Sequence, residues 1–167
     1  LIRDIVKVGR AELRAENAPV AEFDASLAEL VRDLVETCHA APGLGLAAPQ
    51  IGVNRRVAVV DLSIGKDPGS VVVLVNPRIL SEEGRQRGDE GCLSIPGLSE
   101  VVERPSRVVV EARNASGEPA RIEGDGLLAR ALCHEIDHLD SRLFIDNLKG
   151  LKKEMIERRL RRRWGGT

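Results

Sequence analysis

The stretch GLLARALCHEIDHLD, residues 126–140, decides the fold. Leu127, Leu128, Ala131, Leu132 and Ile136 recur at intervals of three and four, which predicts a helix from Gly126. Inside it, His134 to His138 reads H-E-x-x-H. Residues four apart on a helix share one face and lie about 6 Å apart. Two imidazoles so placed can reach one metal ion, and Glu135, beside the first of them, can reach a water near that ion. The bland alternative is a surface helix that happens to carry two histidines. The chain has only three His, and two of them at this spacing around a Glu argue against chance.

Working outward, an amphipathic helix is expected from Asp24 or Ser26 to about Cys38, with Leu27, Leu30, Val31, Leu34 and Val35 as its core stripe. Pro19 leaves residues 1–22 irregular. Gly43–Gly52 reads as a loop of small residues. Strands are expected at Arg56–Leu62, at Val71–Leu80 with an interruption at Pro77, and at Glu100–Glu103, Val108–Ala112 and Ala120–Glu123. Ser81–Glu90 is a polar connection, Asn114–Gly117 a turn, and Leu148–Arg163 a last helix. This order predicts an α+β fold. A largely antiparallel sheet, or sheets, packs around a central HExxH helix, with one N-terminal and one C-terminal helix. At 167 residues the chain suits a single catalytic domain spanning 1–167.

Two histidines do not complete a catalytic site, which takes three protein ligands and an open position. A downstream Gly and His would make a longer zinc-protease pattern, but Ser141 and Phe144 stand there. Glu154 and Glu157 sit in a charged helix, where a solvated face is the simpler reading. Upstream, EGCLSIPG (90–97) offers Cys92, whose thiolate is an excellent ligand. Gly91 would let backbone approach closely. Cys38, inside the first helix stripe, reads as a small buried hydrophobe. Cys133 is adjacent to His134, so it points about 100° away and should not share its ion. In GLGLAAPQIG (43–52) the spacing Gly43, Gly45, Ala48 fits a dinucleotide fingerprint, but that pattern must follow a strand and open a helix. Here it follows a helix and runs into Pro49. The small residues suit a loop that admits a peptide backbone, and Gln50 supplies an amide able to donate to a carbonyl oxygen. His39 sits at a helix end, where a partly charged imidazole is at home.

Composition narrows the partners. The net charge of −1 argues against a surface given over to nucleic acid. No apolar run reaches the roughly 20 residues that span a bilayer, so no membrane association is expected. Three widely spaced cysteines suit a reducing compartment, and a cytoplasmic location is expected. An organellar address on an upstream segment stays compatible with a chain that begins at Leu1. Hydrophobic residues are 43% with two Phe, one Trp and no Tyr, so the core must be aliphatic. Arg outnumbers Lys 20 to 5, a bias best ascribed to base composition. From Lys149 to Arg163 there are eight Lys or Arg against two Glu. That run is either a solvated helix face or a surface for phosphate, most simply ribosomal RNA.

Taken together, three segments resemble the peptide deformylase family: Gly43-Leu-Gly-Leu-Ala-Ala-Pro-Gln50, Glu90-Gly-Cys-Leu-Ser94 and His134-Glu-Ile-Asp-His138. Their order and spacing match, and the similarity runs through most of the chain. The resemblance implies a metal-dependent hydrolase that removes the N-formyl group from the initiator Met of nascent polypeptides and releases formate. It implies Cys92, His134 and His138 as metal ligands. Water activated at the metal attacks the formyl carbonyl, with Glu135 as general base and then acid. Gln50 and the Leu93 N–H would stabilise the oxyanion, and Gly45 and Gly91 would line the substrate backbone. Leu44, Leu127 and Ala131 are candidates for the methionine pocket, with plain core as the equal alternative, and Glu90–Arg104 for a supporting ion pair. The family's usual ion is Fe2+, with Zn2+, Ni2+ or Co2+ able to replace it; the ligand types alone suit zinc equally. Ribosome contact through the basic C-terminal helix is a further implication. Two departures stand out: Cys133 where the family often has Gln before the first His, and Arg10-Ala11 where it often has Asp-Pro. The alternatives are another HExxH metallopeptidase, favoured by cleavage of internal peptide bonds, and a non-catalytic ribosome-associated protein.

Overall fold

A computed structural model describes residues 1–167. Helix α1 spans Ala25–Ala40, and strands β1 (Gly45–Ala47), β2 (Val57–Val60) and β3 (Val72–Glu83) follow. Then come β4 (Gln86–Cys92), β5 (Ile95–Arg104), β6 (Arg107–Arg113), β7 (Pro119–Asp125), helix α2 (Gly126–Leu139) and helix α3 (Gly150–Trp164). Five strands form one sheet in the order β1-β2-β3-β6-β7, and β4-β5 form a separate hairpin. Every strand pair is antiparallel. The α+β architecture with a central HExxH helix is the one the sequence predicts.

The sheet is covered on both faces. Val57 and Val59 of β2 pack with Leu27, Leu30, Val31 and Leu34 of α1. Ala58 and Val60 face the other way, toward Ala129, Leu132, Cys133 and Ile136 of α2. All four β2 residues are buried, which is why they read as an unbroken apolar run. Each fully buried Val or Leu contributes about 1.5–3 kcal/mol by removal from water. A third cluster joins Val8 and Leu13 to Ile95 and Val102 of β5, Phe144, and Ile156 and Leu160 of α3. Of the two candidate caps, Asp24 is the one used: its carboxylate accepts from Leu27 N–H at 3.0 Å.

Four local expectations need correction. β3 does not end at Leu80; it continues to Glu83, and the interruption at Pro77 takes the form of register shifts between Val75 and Arg78 and between Ile79 and Ser81. The bulges absorb a residue that has no N–H to give the ladder. Asn76 there has φ 50°, and its side chain bonds both backbone groups of Val20, at 2.8 and 2.9 Å. The polar stretch 81–90 is not a connection: it holds the end of β3 and most of β4. β4 pairs with β5 over polar residues, and it buries a carboxylate where a strand usually buries an apolar side chain. The loop 43–52 holds β1 and a 3-10 turn, Ala48–Ile51. The last helix starts at Gly150, after a 3-10 turn at Phe144–Asn147.

Candidate metal centre

One face of α2 builds the centre. Leu127, Arg130, Ala131 and His134 border a pocket of about 430 Å³; Leu127 and Ala131, like Arg130 and His134, are one helical turn apart. Across it lie Leu44, Gly45 and Gln50 on one side, and Gly91, Cys92 and Leu93 of the β4–β5 hairpin on another. Leu127 is exposed at the mouth, and Ala131 is buried against the sheet core. Cys92, His134 and His138 converge, each offering a ligand atom, all within 4.8 Å of one another. His134 Nε2 and His138 Nε2 are 3.2 Å apart, and Cys92 Sγ is 3.4 Å from His138 Nε2. One soft thiolate and two imidazoles with converging atoms fit a divalent transition metal. Glu154, Glu157 and His39 are outside this group. His39 pairs instead with buried Asp61 at 2.7 Å, and Glu157 with Arg161.

Glu90 organises the wall behind the ligands. Its Oε2 accepts from His134 Nδ1 at 2.7 Å and Arg104 Nη2 at 2.6 Å. Its Oε1 accepts from Arg104 Nε at 3.0 Å and Arg130 Nη1 at 2.9 Å. Arg104 Nη1 reaches on to Asp137 at 2.6 Å. Burial alone would raise the Glu90 pKa, but the His134 and Arg104 hydrogen bonds outweigh it and hold the carboxyl at about 2. With Nδ1 as donor to that carboxylate, His134 keeps Nε2 free for a ligand bond. His138 is held differently. Its Nδ1 has no partner within the chain, and its backbone oxygen accepts from Asn17 Nδ2 at 3.2 Å. Burial, the largest influence, holds its ring well below the usual imidazole range, which favours the neutral form a ligand needs.

Glu135 is 3% exposed and borders the same pocket, and its Oε1 has no partner within the chain. Burial, the largest influence, pushes its carboxyl up to about 7. Gly45 has a second use beside the one expected of it: a Cβ there would meet Glu135 Oε2 at 2.7 Å, so only glycine leaves the carboxylate its place. A Cβ on Gly91 would stand 3.3 Å from Leu98 O across the hairpin. Gln50 is buried, with Oε1 accepting from Ala47 N–H at 2.9 Å and Nε2 donating to Ser94 Oγ at 3.1 Å. Cys38 and Cys133 lie in the two sheet cores, as small buried residues.

Sequence reasoning missed Arg130, Ser94 and Asp137. Arg130 had a signal: an arginine inside the apolar run GLLARAL of an amphipathic helix needs a buried acid. Ser94 had none, because a serine in a turn is ordinarily solvated.

The family model described as polypeptide deformylase matches residues 2–154. A peptide deformylase of Acidobacterium capsulatum is 46% identical over 97% of this chain and 95% of its own. One from Acidothermus cellulolyticus is 47% identical over 99% and 89%. The solved structure of a Legionella pneumophila peptide deformylase superposes with a TM-score of 0.89 at 44% identity, over 97% of this chain and 95% of that one. A Synechococcus elongatus peptide deformylase in complex with actinonin gives 0.89 at 37% identity, over 99% and 89%.

Proposed function

The chain belongs to the polypeptide deformylase family, and on that footing we propose how its own residues remove the N-formyl group from the initiator Met of newly made polypeptides. The observation that carries the reading is the convergence of Cys92, His134 and His138 beside buried Glu135, at the edge of one pocket. The activity is metal-dependent. We assign the metal to Cys92 Sγ, His134 Nε2 and His138 Nε2, where a divalent cation would polarise the formyl oxygen and acidify a water. Glu135 takes a proton from the attacking water and later gives it to the leaving amine. Gln50 Nε2 and the Leu93 N–H donate to the oxyanion of the tetrahedral species, each such donor being worth about 2.7–4 kcal/mol. The C–N bond breaks, and formate and a free α-amine leave. Leu44, Leu127 and Ala131 flank the methionine side chain, while Gly45 and Gly91 admit the peptide backbone. The other HExxH peptidase reading is not favoured: the third donor beside the histidines is a cysteine from the hairpin.

Residues 1–167 act as one catalytic domain, since the sheet is shared by α1 and α2 and the third cluster ties α3 to the N-terminal segment and to β5 of the hairpin. The resident ion is Fe2+, with zinc an equal fit to the donor atoms. The site of action is the cytoplasm, in keeping with three free thiols; no helix is long and apolar enough to cross a membrane. The basic face of α3 meets the ribosome: of its Lys and Arg, only Lys152 and Arg161 are in ion pairs, with Glu100 and Glu157. Ribosome co-sedimentation should then weaken steeply with added salt. Binding that ignores salt, or no binding, would remove that partner.

The test of the reaction is anaerobic purification with elemental analysis, followed by a formate assay on an N-formylmethionyl peptide. One metal per chain and stoichiometric formate are expected. Cys92→Ser should lose most of its metal, because a neutral hydroxyl replaces a thiolate. Unchanged metal content would take Cys92 out of the ligand set.

A further inference from the structure

Gln50 can serve an oxyanion only if its amide is held the right way round, and this chain holds it from three directions. Ala47 N–H donates to Oε1 at 2.9 Å, which fixes which end of the amide carries the nitrogen. Nε2 then has two hydrogens to place. One goes to Ser94 Oγ at 3.1 Å, and the other lies toward Cys92 Sγ, 3.6 Å from Nε2, on the pocket side. Ser94 is fully buried and Gln50 nearly so, so solvent does not compete for this bond. Gln50 borders the pocket, whereas Ser94 does not. The main chain of both residues is tied to one extended N-terminal stretch. Val6 N–H donates to Gln50 C=O at 2.7 Å and Val8 N–H to Ser94 C=O at 2.8 Å.

We propose that Ser94 is a positioning residue: by taking one amide hydrogen of Gln50 it turns the other toward the reacting carbonyl, with the Val6–Val8 stretch fixing the distance between the two. The proposal rests on the oxyanion role given to Gln50. It differs from a structural role for Ser94 in a measurable way, because a residue acting only through Gln50 has nothing to do once Gln50 is gone.

A double-mutant cycle on the metal-loaded enzyme tests this, with kcat and KM measured on an N-formylmethionyl peptide and metal content measured for each variant. Ser94→Ala should lower kcat about tenfold, the scale of one buried hydrogen bond, and change KM by less than about twofold. In a Gln50→Ala background the same change should alter kcat by less than about twofold. An equal loss in both backgrounds, or an unchanged kcat in Ser94→Ala, overturns the positioning role. If Gln50→Ala itself leaves kcat unchanged, the oxyanion role falls and the positioning role with it. Should Ser94→Ala not fold, Ser94→Cys keeps the volume with a weaker acceptor, and the same cycle is run with it.

Discussion

Glu135→Gln is expected to lower kcat on an N-formylmethionyl peptide by about 10²–10⁴-fold, the range for a positioned general base. Bound metal should stay at one per chain. The substitution keeps the shape of a side chain that is 3% exposed, and it sits on the helix face that borders the pocket. What it removes is the ability to take a proton and return it. A carboxyl raised by burial to about 7 is suited to both acts near neutral pH, since neither the protonated nor the ionised form is strongly disfavoured. The buried Oε1, free of any partner within the chain, is the atom available for this work. Retained activity in a metal-loaded Glu135→Gln enzyme would remove Glu135 from proton transfer.

His134, Glu135 and His138 were legible in the sequence because helical periodicity turns a spacing of four into a shared face. Cys92 was legible only in part. Nothing local brings a residue 42 positions away to the helix, and it was the resemblance that paired them. The wall behind the ligands was legible only at Glu90 and Arg104, again through the resemblance. Asp137 acts through a long-range ion pair with Arg104 that leaves no periodic trace. β4 escaped for the same reason. Strand signals come from apolar alternation, and this strand turns Glu90 inward to meet two arginines and a histidine. β2 was clear because it is buried on both faces, and β3 was read three residues short because its end, Ser81–Glu83, is polar and exposed.

Glu90→Ala should be the most damaging single change to stability. It leaves the guanidinium groups of Arg104 and Arg130, both almost fully buried, without their shared carboxylate. Removing one partner of a buried ion pair costs about 3–5 kcal/mol, because the remaining charge stays desolvated. Arg104 retains Asp137, which moderates the loss. For a chain of this length the cost corresponds to a drop in Tm on the order of 10 °C. The same variant frees the His134 ring to rotate, and loss of such a support typically costs about 10–100-fold in metal affinity. Thermal melts and competitive metal titration read the two effects separately. A Tm and a metal affinity both equal to those of the unmodified chain would show that the four hydrogen bonds to Glu90 hold nothing in place.

The burial of Cys38 and Cys133 in the two sheet cores has a practical consequence for probing the folded enzyme. Desolvation raises the first thiol to about 12 and the second to about 11, so neither forms a thiolate at neutral pH, and neither is within reach of a reagent. Cys92, half-buried at the pocket edge, is the remaining thiol. The native chain therefore carries a built-in single-site label: alkylation of the folded protein reports on one atom, and that atom is the one assigned to the ion. Its rate of modification becomes a clock for metal release, with no engineered cysteine and no background from the other two.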